Sequence, residues 1–253
     1  MADILVVAEA AEGKLKKTTH SAVTFARQAA AALGGTYSIL VIGDALGDAA
    51  SEAARLGAAK VLVAEDASLK GYLAERYAPT VAEVGKGFAV IVGTASAYGK
   101  DLLPRVAGRL GAGYATDISE VIASGGALSY KRPMFAGNAY GIATITTPIQ
   151  VVSVRQSAFT AAEPQGASAA VEKVAVAPAE AAASRVEFVS FDQVKNERPE
   201  LGYGVNATLH QRLSLVSRDS GDQRQVVVIP PAFVAKWEPR ANITVLDGLW
   251  IRL

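Results

Sequence analysis

At 253 residues the chain is long enough for one large or two small domains with a full α/β core, and it needs no covalent staple at that size. Its 25 basic and 24 acidic residues leave a net charge of +1, so no overall field recruits nucleic acid or an anionic membrane. The lack of cysteine excludes disulfides, thiolate chemistry and iron–sulfur ligation, and two histidines, His20 and His210, are too few for a His-rich metal site.

Mean hydropathy is +0.24, much of it from alanine, yet no apolar run approaches the ~18 residues that a membrane span needs. The opening Met1-Ala-Asp-Ile-Leu-Val-Val-Ala8 runs straight into a strand pattern, with no basic region and no small-residue cleavage site. That points to a cytoplasmic, bacterial protein without membrane insertion. After a charged turn at 13–17, apolar positions predict a helix over 18–33 that Gly34-Gly35 should end. Strands are expected at 37–42 and 60–64, with a short Ala-rich helix over 48–56 between them. A helical segment over 72–84 carries Pro79, which should kink or split it. A strand at 88–93, a loop at 94–100 and a helix over 101–110 follow.

Such alternation calls for right-handed crossovers and a parallel sheet covered by helices on both faces. Three strand-like runs then come at 116–121, 131–140 and 149–159. No helix separates them, so the sheet is expected to finish in antiparallel hairpins. Ser124-Gly125-Gly126 is the glycine pair nearest in kind to a phosphate loop, but no helix follows it and a hairpin turn is the better reading.

Three motifs stand in order along this central stretch: Gly99-Lys-Asp-Leu-Leu-Pro-Arg-Val-Ala107, Thr116-Asp-Ile-Ser119 and Arg132-Pro-Met-Phe-Ala-Gly-Asn-Ala139. They closely resemble the motifs of the N-terminal domain of the electron transfer flavoprotein alpha subunit, and the resemblance extends from the first residues to Leu201. It implies a three-layer α/β/α fold with a mainly parallel sheet of the adenine-nucleotide-hydrolase type. It also implies a heterodimer with the family's beta subunit, carrying electrons from acyl-CoA-type dehydrogenases to a quinone reductase during fatty acid oxidation. FAD is the family's redox centre. In the family this domain binds no nucleotide itself and serves as a platform against the beta subunit.

The implied organisation is an α/β domain over 1–159, an Ala/Pro/Glu-rich connector over 160–185, a returning strand and crossing point over 186–201, and an unmatched tail over 202–253. The family's Ser-Gly-Gly-Arg-Gly phosphate loop should follow Leu201, with a Gly-Gln-Thr-Gly flavin contact later. This chain reads Gly202-Tyr-Gly-Val-Asn-Ala-Thr208 instead, and neither motif stands after Leu201. The expectation is an alpha subunit whose flavin domain is truncated or replaced, with no catalytic, metal-binding or family-type FAD-binding residue.

Residues 94–100 lie at the carboxyl end of a strand, where open α/β sheets bind ligands, and their hydroxyls with Lys100 suit an anion. The resemblance sets Tyr98, Gly99 and Lys100 instead in a structural or interface role. Arg132-Pro133 and Gly137-Asn138 read as turn chemistry at a sheet edge, and the resemblance adds nearness to the subunit interface. Asp117 and Glu120 are the nearest thing to paired carboxylates, but three apart on a strand they fall on opposite faces. No serine or carboxylate is placed by motif to pair with His20, which reads as a surface or capping residue. Three functions compete: an electron-carrier subunit, a flavin-free platform that only contacts the beta subunit, and a small enzyme or nucleotide sensor on the same type of fold, which would need a glycine-rich phosphate loop that the sequence does not show.

Overall fold

The structure, a computed structural model, describes residues 3–166, 168–179, Phe188 and four strands beyond residue 214. The chain divides into two compact units, Met1–Asp192 and Gln193–Leu253.

The first unit opens with β1 (Ile4–Val7), a small hairpin of β2 (Ala10–Ala11) and β3 (Lys14–Leu15), and helix α1 (Lys17–Leu33). There follow β4 (Tyr37–Gly43), α2 (Ala49–Ala54), β5 (Lys60–Glu65), α3 (Ala74–Gly85), β6 (Val90–Thr94) and α4 (Ala97–Leu110). The unit then runs through β7 (Gly113–Ile118), β8 (Glu120–Ser124), β9 (Ala127–Met134), β10 (Ala139–Thr144), β11 (Gln150–Val154) and β12 (Ala170–Lys173). Seven strands form one sheet in the order β12-β5-β4-β1-β6-β11-β7, and every pair in it is parallel.

β1, β4 and β6 are wholly buried because helices cover both faces, and strand alternation sorts their side chains. Ile4, Val6, Ile39 and Val41 join α1 and α2 in one core. Leu5, Val7, Leu40 and Ile42 join α3 and α4 in the other. As expected, α1 stops at Gly34, whose φ of 63° caps it in the left-handed region with its N–H on the Ala30 carbonyl. α3, in contrast, runs unbroken through Pro79. The missing N–H removes one helical bond, and a buried face of Tyr77, Ala78, Val81 and Ala82 holds the helix on the sheet.

α4 begins four residues before the expected 101, because Ser96 caps it: its Oγ accepts the Gly99 N–H at 3.0 Å. Residues 116–121 do not form one strand either. Asp117 takes a φ of 57°, β7 ends at Ile118, and β8 starts in another sheet. Residues 131–140 fold back through a short 3-10 turn at Phe135–Gly137.

The antiparallel hairpins are present, as a second sheet ordered β10-β9-β8. Gly125 and Gly126, with φ of 57° and 77°, close its two-residue turn between the paired Ser124 and Ala127. β11 is the exception to that expectation, because it inserts between β6 and β7, parallel to both. Its expected continuation to 159 ends at Val154 and gives way to a 3-10 turn at Gln156–Ala158.

The stretch expected as a connector lies along the first unit. Ala162 donates its N–H to the His20 carbonyl at 3.1 Å, and His20 Nδ1 meets the Ala162 carbonyl at 2.7 Å, so that ring nitrogen carries the proton. β12 then extends the main sheet beside β5. The expected returning strand lies outside the described residues apart from Phe188, whose ring covers Gly71: a Cβ there would stand 2.2 Å from a ring carbon.

In the second unit, β13 (Leu215–Asp219), β14 (Asp222–Val228), β15 (Ile243–Leu246) and β16 (Leu249–Arg252) form an antiparallel sheet in the order β13-β14-β16-β15. Among the described residues, no helix is long and apolar enough to cross a membrane.

Candidate functional site

The carboxyl end of the parallel sheet is where such folds hold ligands, and here it is laced together by the chain's own groups. Glu9 follows β1 and is buried at 4% exposure. The Ser96 hydroxyl donates to its carboxylate, and the Glu9 N–H donates to Thr19 Oγ1 at 2.9 Å. The Thr94 hydroxyl is committed to the Thr18 carbonyl at 2.9 Å. Thr18 Oγ1 is buried without a hydrogen-bond partner. The hydroxyls of Thr94 and Ser96, read from sequence as donors to an anion, are therefore already in use.

Burial pushes the Glu9 carboxyl up from its ordinary 4.5, against the opposing pull of Ser96, Lys16 and Thr18. An acid with a raised folded-state pKa favours folding in its protonated form. Its contribution is therefore full below 4.5 and is lost as pH rises through the folded-state value. Glu9→Gln keeps a partner for Ser96 and removes this titration. Urea denaturation at several pH values should show wild type gaining stability relative to Glu9→Gln as pH falls through that window, and a constant difference would refute the assignment.

Tyr98, Gly99 and Lys100 occupy the first turn of α4. Tyr98 is half-buried and stacks within 4.6 Å of Tyr72 and 6.3 Å of Tyr77, ring centre to ring centre. Desolvation raises all three phenols, Tyr77 to about 12. Tyr72, just before α3, donates to Asp101 of α4 at 2.9 Å and Tyr77 to the Leu69 carbonyl at 3.0 Å, while the Tyr77–Tyr98 ring contact ties α3 to α4. Arg105, in the same motif, strengthens that tie through Glu75 at 2.7 Å. Gly99 is buried and Lys100 exposed.

Arg132, Pro133, Gly137 and Asn138 lie apart from these, on β9 and the turn to β10. Phe135, Ala136 and Gly137 all take positive φ at the tip of the turn. Phe135 is 76% exposed, Ile142 67% and Tyr140 60%, while Met134, also exposed, lies on the opposite face of the hairpin beside Gly141. Lys131 sits 5.1 Å above the Tyr140 ring and pairs with Glu120 at 2.9 Å. The Arg132 Nε is buried without a partner. This apolar face stands on a firm base: Tyr130 is fully buried, donates to Gln150 Oε1, and packs with Phe159 against Phe25 of α1.

Asp117 and Glu120 are not a pair. Asp117 takes a bidentate ion pair from Arg155, at 3.1 Å from its Nε, while Glu120 holds Lys131. Sequence reasoning missed Glu9, whose only signal is an acid placed directly after a fully apolar strand. It also missed Phe135, Tyr140 and Ile142, although no charged residue stands between Arg132 and Arg155.

A flavin pyrophosphate needs free backbone N–H groups at a helix N-terminus and a cation. The two places nearest in kind to that demand are both in other use. Gly125-Gly126 closes a hairpin, and the α4 N-terminus is capped by Ser96 under the Glu9 carboxylate.

Residues 4–179 match the Electron transfer flavoprotein domain. The chain is 38% identical over 199 residues to the Electron transfer flavoprotein subunit alpha of Pseudomonas aeruginosa, covering 78% of this chain and 61% of that one. It is 37% identical over 200 residues to the Probable electron transfer flavoprotein subunit alpha, mitochondrial, of Caenorhabditis elegans, covering 78% and 57%. A Bacillus subtilis Electron transfer flavoprotein subunit alpha is 32% identical over 163 residues, covering 63% and 49%. The chain thus spans about half to three-fifths of the length of these relatives, and over that span it belongs to the electron transfer flavoprotein family, on the side of the alpha subunits.

Proposed function

We propose that the chain acts as the alpha-subunit platform of an electron transfer flavoprotein, docking a beta subunit through the three-stranded sheet in a cytoplasmic heterodimer. In this reading the assembly carries electrons from acyl-CoA-type dehydrogenases to a quinone reductase, and the chain itself performs no chemical step. FAD, where an assembly of this family binds it, supplies the electron transfer. The observation that carries the reading is the exposed group Phe135, Tyr140 and Ile142, held on a rigid base beside the Arg132 motif. Exposed apolar clusters rimmed by charge mark protein interfaces. Pro133, Gly137 and Asn138 shape the tip, and Arg132 offers its guanidinium to a partner acid. Tyr98, Gly99 and Lys100 stiffen the α3–α4 side.

A flavin-free variant of this reading is favoured by one observation, that Gly125-Gly126 closes a hairpin and the α4 N-terminus is capped by Ser96. It assigns 1–159 to the platform and 202–253 to a tail standing where the family carries its flavin domain.

The test is binding of the purified chain to an electron transfer flavoprotein beta subunit by calorimetry. Exposed aromatic anchors at interfaces contribute about 2 kcal/mol or more, so Phe135→Asp should weaken the complex by about thirty-fold or more. Gly108→Ala, on the solvent side of α4 with open space around it, should leave it unchanged. Equal binding by the Phe135 variant, or no complex at all, would sink the proposal.

A further inference from the structure

We infer that the ligand position of the main sheet is built but self-occupied: the Glu9 carboxyl group sits where a small carboxylate would bind, and so closes the position to any free one. This does not depend on the flavoprotein reading.

The position follows from the strand order. From β1 the chain leaves through α1 to β4 on one side, and β6 lies on the other side of β1. α1 packs on one face of the sheet, and α4, which follows β6, packs on the other. The two loops therefore part at the carboxyl ends of β1 and β6. Such a parting leaves the crevice in which open parallel sheets hold ligands. Glu9 follows β1 and Ser96 follows β6, and they meet there, the Ser96 hydroxyl donating to Glu9 Oε1.

The surroundings are those of a carboxylate site. α4 has 14 residues, and its opening N–H groups carry partial positive charge. Ser96 Oγ takes the Gly99 N–H and the Ser96 carbonyl takes that of Lys100 at 2.9 Å. The N–H groups of Ala97 and Tyr98 lie beyond the reach of any carbonyl of the helix. Lys16 supplies a positive charge beside Glu9, and Thr18 Oγ1 is buried with no hydrogen-bond partner. A helix end, a cation and an orphaned hydroxyl are what an outside carboxylate would use, and Glu9 reaches them from within. Its backbone is fixed for that reach on both sides. The Glu9 N–H donates to Thr19 Oγ1 at 2.9 Å, and its carbonyl accepts the Lys16 N–H at 2.8 Å. A group tethered and oriented in this way outcompetes a free one, because little freedom remains for it to lose on binding.

Glu9→Ala removes what acetate restores, one carbon and a carboxylate. Thermal unfolding of the full chain in sodium acetate should raise the Tm of Glu9→Ala by about 3–6 °C more than that of wild type, at about tenfold the acetate dissociation constant and with sodium chloride of equal ionic strength as reference. Glu9→Gln keeps the position filled and should respond as wild type does. Propionate, one methylene longer, should act less than acetate. Equilibrium dialysis with labelled acetate should find uptake by Glu9→Ala and none by wild type. If Glu9→Ala loses its near-ultraviolet circular dichroism in chloride, acetate should restore it, so a folding defect is itself a reading. Equal Tm shifts for wild type and Glu9→Ala, acetate uptake by wild type, or a folding defect that acetate leaves unrepaired would each overturn the proposal.

Discussion

Phe25→Ala is expected to lower stability by about 3–5 kcal/mol, the usual cost of emptying a phenylalanine-sized hole in a core. Phe25 is fully buried on α1, with Tyr130 6.3 Å away on one side and Phe159 5.9 Å away, edge-on, on the other. Tyr130 belongs to β9 and Phe159 follows β11, so this one ring holds helix, second sheet and returning chain together. The hole cannot close easily, because its walls belong to three different elements. For a chain of this size the loss corresponds to a Tm lower by about 6–20 °C. Phe25→Leu, which keeps most of the volume, should lose markedly less. Thermal and urea unfolding would check both variants, and a loss under about 1 kcal/mol for Phe25→Ala would contradict this packing.

Gly99→Ala is expected to cost about 3 kcal/mol, at the upper end for forcing a group into a packed site. A Cβ at Gly99 would stand 1.9 Å from the Thr94 carbonyl oxygen, a backbone atom with no room to yield while β6 and the α4 cap stay in place. The family motif thus demands glycine here for close approach, not for an unusual φ. Gly108, nine residues further along the same helix, is exposed with nothing within 4 Å of its Cβ position. Gly108→Ala should therefore stabilise by about 0.5–1 kcal/mol through helix propensity. Opposite signs for two glycine-to-alanine changes in one helix separate steric demand from propensity, and equal signs would refute the argument.

Much of the first unit was legible in the sequence for physical reasons. The buried strands carry unbroken apolar runs, α1 carries a helical apolar face, and Gly34 and Gly125-Gly126 sit where positive φ is needed. The misses also have causes. The first turn of α4 carries Tyr98 as its one large apolar residue, so periodicity begins only near Leu102 and the Ser96 cap leaves little trace. Asp117 breaks a strand-like run because its N–H is held by Ser153 Oγ at 3.0 Å, and no local pattern encodes a partner on another strand. The parallel insertion of β11 is a matter of strand order, which local patterns do not carry either.

The candidate site divides in the same way. Arg132-Pro133 and Gly137-Asn138 could be picked out as special backbone positions from residue type alone. The apolar face beside them could not, since Tyr140 and Ile142 read equally well as core residues until β10 is seen to be an edge strand. Glu9 reads as an ordinary surface acid until the Ser96 cap and the burial around it are known.

The central claim is that this chain contributes a beta-binding platform and no flavin site of its own. The most direct measurement is the visible absorbance spectrum of the desalted chain, purified alone and after co-expression with an electron transfer flavoprotein beta subunit. The account predicts an equimolar complex in the second preparation and no flavin bands in either. Flavin bands retained by the chain alone would contradict it.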